Sequence, residues 1–397
     1  MEVGDWILLS LAILGAVPLA VLTVELLAAL FPGRNAISSV GNRPNCAVLI
    51  PAHDEEIGIV ATVANVLAQV RPGDRVLVIA DNCTDSTAEV ARTAGAEVVV
   101  RHDPDRRGKG FALDYGLRHL RADPPPVVVV VDADCELGHG ALNALVLQAA
   151  TTGRPAQGIY LIGTGEERDP RRRLSAFAVL VKNEIRPLGL HRLGLPCLLT
   201  GTGMAFPWAV IGKADLGTGN IVEDMKLGID LALAGVAPSL CPSARLTSGA
   251  APDLRTAIQQ RTRWEHGHVN TLIAKTPRLL ITGVLRFRPG LIGLGLELGV
   301  PPLSLLGAGN FLLLANCIVW WLALSGSWAP VAVIGGAFFI ALAAGLLAWV
   351  KFGRRVLPFG VLIATPAYVL WKVPIYLKMA VSRQKTWVRT ARTATRE

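Results

Sequence analysis

The stretch Val127–Cys135, VVVVVDADC, decides how this chain is read. Five consecutive valines suit a strand buried on both faces, as in a parallel sheet covered by helices. The run ends in Asp132-Ala133-Asp134, two carboxylates one residue apart at the carboxyl end of the strand. In open α/β sheets that end holds the ligand. A carboxylate pair at i, i+2 there suits a hard divalent cation held against phosphate oxygens, and a polar turn closing a core strand would look the same.

Around this strand, elements alternate from about Cys46 to His268. Ala47–Ile50, Arg75–Ala80, Glu97–Val100 and Val127–Val131 read as strands. Between the first two, Ile59, Val60, Val63, Val66, Leu67 and Val70 repeat at helical spacing, and Ser86–Ala94 is a second helix ending at Gly95. The β-α-β-α order predicts a parallel, doubly wound sheet with Rossmann-like topology. Pro170–Arg186 and Asp224–Ala234 are further predicted helices.

Composition adds a second part. Of the 397 residues 52% are hydrophobic and 17% charged, and the mean hydropathy is +0.45. That is too apolar for the sheet domain alone and points to membrane spans. Trp6–Phe31 is long enough to cross a bilayer, with acidic Glu2 and Asp5 at its start and Arg34 and Arg43 after it. The charge asymmetry predicts an outside N-terminus and a cytosolic sheet domain. Leu291–Leu324, Val331–Val350 and Val356–Tyr376 are apolar enough to enter the bilayer, and Thr271–Pro289 suits a helix lying on its surface. The net charge of +9 sits largely beside apolar segments, at Arg286/Arg288, Lys351/Arg354/Arg355 and Lys378–Arg396. That placement fits anionic lipid and argues against nucleic acid. Six scattered cysteines with no C-x-x-C pair predict reduced thiols and no zinc site.

The loops at the strand ends carry the chemistry. Pro51-Ala52-His53-Asp54-Glu55 follows the first strand, and Asp81 ends the second ahead of the residues that cap the next helix, free to accept from a base or ribose. Arg106-Arg107-Gly108-Lys109-Gly110 makes a cationic loop before a helix, suited to phosphate or simply a solvated basic turn. Gly201-Thr202-Gly203 offers a backbone-permissive wall for a substrate. Glu223-Asp224 precedes a helix, where acidic residues are also ordinary N-terminal company. Gln260, Arg263 and Trp264 share one helix face; the guanidinium suits a diphosphate and the indole a sugar face, or the pair anchors on lipid.

In order, P-A-H-D-E, the Asp81 turn, G-K-G, D-A-D, G-T-G, E-D and Q-R-T-R-W resemble the motif series of membrane-bound family-2 glycosyltransferases, which include cellulose, chitin and hyaluronan synthases. The resemblance spans Val48–Gly267, and Val222 stands where many relatives carry Thr. It implies a GT-A fold and inverting transfer from a nucleotide sugar, expected to be a UDP-sugar, with Mg²⁺ or Mn²⁺. It implies that Asp81 binds nucleobase or ribose in a pocket lined by Pro51, His53 and Glu55, and that Lys109, Asp132 and Arg263 hold the rest of the nucleotide. Asp134, with Asp132, would ligate the metal. Asp224 would be the general base with Glu223 beside it, and Gly201, Thr202, Gly203, Gln260 and Trp264 would face the acceptor. His266 and His268 receive no role.

The implied layout is an N-terminal transmembrane helix over 1–33, a cytosolic GT-A domain over 44–270, an interface helix over 271–290, membrane or re-entrant helices over 291–378 and a basic tail over 379–397. The expected protein is a multi-pass enzyme of the bacterial cytoplasmic membrane, adding one sugar to a lipid-linked or membrane-presented acceptor for a surface polysaccharide or glycolipid. A processive synthase that translocates its polymer, or a transporter or scaffold, are the alternatives. Only Glu25 and Glu297 place charge inside apolar segments, which is little for an ion path.

Overall fold

The computed structural model describes residues 2–33, 43–163, 169–214, 216–217, 223–249 and 254–365. Val222, the tail over 379–397 and the part of the Val356–Tyr376 run beyond 365 lie outside them. In chain order the elements are α1 (Val3–Ala28), β1 (Cys46–Ala52), α2 (Ile59–Leu67), β2 (Arg75–Asp81), α3 (Thr87–Thr93), β3 (Glu97–Arg101) and α4 (Lys109–Leu120). Then come β4 (Val127–Val130), β5 (Cys135–Leu137), α5 (Ala141–Thr152), β6 (Ala156–Ile162), α6 (Pro170–Leu180) and α7 (Arg186–Arg192). The chain ends with β7 (Met204–Pro207), α8 (Trp208–Ile211), α9 (Glu223–Leu233), β8 (Ser239–Ser248), α10 (Leu254–Leu285), α11 (Pro289–Leu298), α12 (Leu303–Ala323), α13 (Ala329–Ala348) and α14 (Phe359–Ile363). The contacts divide these residues into two compact units.

The first unit holds 43–163, most of 196–249, and α10 as far as Trp264. It is an eight-stranded sheet of order β3-β2-β1-β4-β7-β6-β8-β5. Strands β1 to β4 are parallel neighbours, as the Rossmann-like reading expects. The valines of β4 serve both faces. Val127, Val129 and Val131 enter one core with Val48, Ile50 and residues of α2, α3 and α5. Val128 and Val130 enter the other with Ala47, Leu49 and residues of α4 and α8. A period-two strand between two apolar layers has no polar position to offer, which accounts for the unbroken run.

The sheet is not parallel throughout. β7 runs antiparallel to both β4 and β6. Met204 lies opposite Val130, so Gly201-Thr202-Gly203 enters an antiparallel strand instead of leaving a parallel one. That reversal brings the loop alongside Asp132.

The second unit comprises 2–32, 169–195 and 265–365. Three of its helices, Val3–Ala28, Leu303–Ala323 and Ala329–Gly353, are long and apolar enough to cross a membrane. α12 and α13 form one helical hairpin, and Lys351 after α13 donates to the Leu30 carbonyl at the end of α1 (2.6 Å). At the other end of α1, Asp5 accepts from Trp320 Nε1 (2.9 Å) and the Ser327 amide (2.7 Å). Pro301-Pro302 separates α11, too short to span, from α12. The surface helix expected from Thr271 is the later part of α10, which begins at Leu254.

The predicted helix over Pro170–Arg186 is longer and interrupted. It passes through a π-helical turn at Val181–Ile185 before α7. Pro187 has no N–H for the Asn183 carbonyl, so the α ladder cannot continue unchanged there. α7 packs on α1, and Glu25, one of the two lone charges of the apolar segments, finds its partner in it. The buried Arg186 guanidinium pairs with Glu25 and donates to the Glu297 carbonyl (2.8 Å). Arg192 donates to the Ala28 carbonyl (3.1 Å). His268 is buried in the same unit, with Nε2 3.2 Å from the Val300 carbonyl.

The α1–α7 approach leaves no space for a side chain. A Cβ on Gly189 would lie 2.0 Å from the Glu25 carbonyl oxygen, whereas one on Gly336 of α13 meets nothing within 4 Å. Gly189→Ala must push backbone from backbone, at a cost of at least about 1–3 kcal/mol. We expect it to lower the melting temperature in detergent while Gly336→Ala does not; equal melting of the two would refute this packing.

Candidate active site

The carboxyl ends of β2, β1 and β4 converge on one sheet edge. β1 and β2 pair through Ala52 and Ala80, and Val131 donates to the Leu49 carbonyl (3.0 Å). Pro51 and His53, Asp81, and Asp132 therefore emerge from adjacent strands on the same side. His53 Nδ1 lies 2.7 Å from the Asp81 carbonyl oxygen, and the Glu55 amide donates to Thr87 Oγ1 (2.7 Å).

Asp81 is not the unengaged acceptor expected from its place before the helix cap. It is buried, and its Oδ1 accepts from Arg101 Nη1 (2.5 Å) and Asn82 Nδ2 (3.0 Å). Arg101 ends the neighbouring strand β3, opposite Asp81 in the register. Strand pairing across 20 residues made this partner, and the sequence around Asp81 contains no trace of it.

Four acidic side chains gather around Lys109. Its Nζ hydrogen-bonds Asp132 Oδ1 and the Gly201 carbonyl (2.7 Å). Asp132, Glu223 and Asp224 together raise the Lys109 pKa above its ordinary value, outweighing burial, which lowers it. A Cβ on Gly201 would lie 3.2 Å from Asp224 Oδ2 and 3.7 Å from Lys109 Nζ, and Gly201 has a φ of +92°. Any side chain there is strained by the backbone angle, and its Cβ would press on the Asp224 carboxylate. The charges of Glu223 and Asp132 also act on Arg263, whose guanidinium is partly desolvated. Asp132, Lys109, Glu223, Asp224 and Arg263 thus form one electrostatic cluster assembled from β4, α4, α9 and α10.

Asp134 belongs to the same cluster. Donor atoms of Asp132, Asp134 and Cys135 lie within 4.8 Å of one another. Burial first, then the Asp132 charge, push the Asp134 carboxyl up to about 6. Burial and the Asp224 charge push Glu223 up to about 7. Two oxygen-bearing acids held close at a cost in charge suit a hard cation, which relieves the same repulsion.

Two expected acceptor contacts are corrected. Thr202 is fully buried, and its Oγ1 accepts the Asp132 amide proton (3.0 Å) while its carbonyl accepts from Gln157 Nε2 (2.9 Å). It fixes the turn that carries Asp132 and has nothing left to show an acceptor. Gly203 is buried too, its α-carbon facing Leu246, and its carbonyl accepts from Gly158 (2.8 Å). Gly201 alone of the three borders the acidic cluster. Gln260 and Trp264 are half-buried on the α10 turn that carries Arg263.

Residues 44–267, more than half of the chain, match the family model described as "Glycosyltransferase like family 2". The chain belongs to glycosyltransferase family 2. It is an enzyme that transfers sugar from a nucleotide sugar, and its sheet unit is a GT-A-type domain. An uncharacterized glycosyltransferase of Mycobacterium tuberculosis is 32% identical over 186 residues, 41% of this chain and 81% of that protein. The 4,4'-diaponeurosporenoate glycosyltransferase of Staphylococcus aureus is 36% identical over 111 residues, 27% of this chain and 28% of its own. Among solved structures, a mannosyltransferase from Pyrobaculum calidifontis in complex with GDP-Man and Mn²⁺ aligns with a TM-score of 0.48 at 21% identity, covering 92% of this chain and 95% of that one.

The raised acids give the metal-free glycosyltransferase a pH signature. The folded pKa of Glu223 lies above its unfolded value, so its proton stabilises the fold at low pH, and that contribution is lost as pH rises toward 7. Glu223→Gln keeps the neutral form at every pH. In chelator it should melt near wild type at pH 5 and above wild type at pH 8, by about 1–3 kcal/mol at roughly 1.4 kcal/mol per pKa unit. A difference independent of pH would show that Glu223 is not desolvated as described.

Proposed function

We propose that this enzyme is an inverting transferase of the bacterial cytoplasmic membrane, moving a single sugar from a nucleotide donor to a lipid-linked or membrane-presented acceptor of a surface polysaccharide or glycolipid. The observation that carries the reading is the cluster of Asp132, Asp134, Lys109, Glu223, Asp224 and Arg263 on a chain whose described residues also include three helices long and apolar enough to cross a membrane. A UDP-sugar is the first candidate donor. The name of the Staphylococcus aureus relative, which points to transfer onto 4,4'-diaponeurosporenoate, supports an acceptor other than a free sugar.

In this mechanism Asp81 and His53 border the nucleobase and ribose, with Pro51 and Glu55 along the same edge. Lys109 and Arg263 lie where a diphosphate needs cations. Asp132 and Asp134 would hold Mg²⁺ or Mn²⁺, which supplies charge for the departing diphosphate. Inversion needs one base to take the acceptor hydroxyl proton as its oxygen bonds the anomeric carbon and the nucleoside diphosphate leaves. Asp224, whose Oδ2 lies close beside Gly201, is that base. Burial and the Asp224 charge push the neighbouring Glu223 up to about 7, so Glu223 gives up its proton reluctantly beside Asp224. Gln260 and Trp264 are proposed to meet the acceptor from α10.

Several features support the membrane orientation. Arg192 and Lys351 gather at the carboxyl end of α1, and Asp5 lies at the opposite end. Basic residues on one side favour a cytoplasmic location for that end. The proposed domains remain a span over 1–33, the catalytic region over 44–270 and the membrane-associated remainder, with the interface helix over 271–290 and the basic tail over 379–397.

The test is a nucleoside-diphosphate release screen over UDP- and GDP-sugars in Mg²⁺ and Mn²⁺, with and without membrane lipid extract. Lipid-dependent release, with one sugar added per acceptor, is the expected result. A polymer made from donor alone would mean a processive synthase, and release that is indifferent to lipid would remove the membrane-presented acceptor. Asp224→Asn should cut transfer about 10²–10⁴-fold while nucleotide binding survives; unchanged transfer would remove Asp224 from the role of base.

A further inference from the structure

The ammonium of Lys109 occupies an oxygen that the proposed metal site uses. Nζ is bonded to Asp132 Oδ1, and the Gly201 carbonyl holds it from the other side. Around it lie Asp132, Glu223 and Asp224, with Asp134 repelled by the Asp132 charge. Arg263 is the other cation on which these acids act. Four acidic side chains beside one guanidinium repel one another in a partly desolvated site, and Lys109 offsets part of that repulsion.

Two properties make this counter-ion exchangeable. Lysine carries a compact charge on a flexible four-carbon stem, unlike the rigid fork of arginine. Lys109 is also the first residue of α4, following Gly108, so its stem leaves from a helix start where phosphate binds favourably. A divalent cation and an ammonium on one carboxylate oxygen repel each other, whereas a diphosphate attracts both.

We propose that Lys109 is the resting counter-ion of the acidic cluster, and that it is handed from Asp132 to the donor diphosphate when metal and nucleotide bind. The inference rests on the metal-site reading of Asp132 and Asp134. Its consequence is coupling. Metal alone must displace the ammonium and binds weakly; the diphosphate removes the ammonium and adds negative charge, so each ligand tightens the other by the same factor. The family resemblance assigns Lys109 to the nucleotide alone, and this exchange adds a role before the nucleotide arrives.

The experiment measures Mn²⁺ affinity of the full chain in detergent by electron paramagnetic resonance, without nucleotide and then with UDP or GDP. Lys109→Met keeps the stem and removes the charge. We expect it to bind Mn²⁺ about tenfold tighter than wild type without nucleotide, and to lose at least about fivefold of the nucleotide-induced tightening, within the usual range of coupling between sites. Lys109→Arg, which retains the charge, should keep the weak nucleotide-free binding. Unchanged or weaker Mn²⁺ binding by Lys109→Met overturns the proposal, since Lys109 would then serve only the nucleotide or only support Asp132. Tighter binding with undiminished coupling overturns the hand-over as well. Asp132→Asn provides the separate check: if it fails to weaken Mn²⁺ binding, the metal-site reading has failed, whatever Lys109 does.

Discussion

Negative charge gathered in a partly buried cluster at the carboxyl end of the sheet is the constraint on which this structure turns. Asp132 and Asp134 leave a strand whose every residue is buried, so their position is as fixed as the core itself. α9 adds Glu223 and Asp224 to the same place. The protein bears this through Lys109 and Arg263 and through the raised carboxyls of Asp134 and Glu223. On the proposed reading such an arrangement trades stability for readiness, because the groups that repel one another at rest are those that a cation and a leaving diphosphate would reconcile.

The parts of the fold legible in the sequence are those fixed by period. Buried strands between helices announce themselves because both faces are apolar, and β1 to β4 lie within a residue or two of the strands read from the pattern. Topology beyond β4 has no such signal. The antiparallel course of β7 depends on where the chain returns after α6 and α7, and short runs such as Met204–Pro207 carry no direction. This reversal is why Gly201-Thr202-Gly203 supports Asp132 from beside it, with the threonine turned inward, when local reading expects an open wall.

The site was legible as a set of residue types and illegible as a set of pairs. A carboxylate at a strand end shows its capacity to accept but not whether a neighbouring strand has already supplied a donor. Asp81 makes the point, since Arg101 reaches it only through the β2–β3 register. One isolated charge of the apolar segments has the same history. Glu25 looks like a lone intramembrane acid until the segment between β6 and β7 contributes Arg186, which also donates to the Glu297 backbone carbonyl. An intramembrane charge invites a functional reading by default, and its partner here explains it by packing instead.

These two clusters answer one electrostatic problem in opposite ways. Within the helical unit, the Arg186 guanidinium is held by a Glu25 carboxylate and the Glu297 carbonyl, on a helix that approaches α1 too closely for any side chain at position 189. Removing either charge there leaves the other stranded, so the pair is committed and cannot serve exchange. In the sheet unit, the compensating charge is an ammonium on a long stem, bonded to one carboxylate oxygen and one carbonyl. Its partners can be replaced by other cations and other oxygens at little change in net charge. A rigid fork suits the first task and a mobile point charge the second. The choice of Arg186 in one cluster and Lys109 in the other follows from whether the acids around them must stay paired or be released to a ligand.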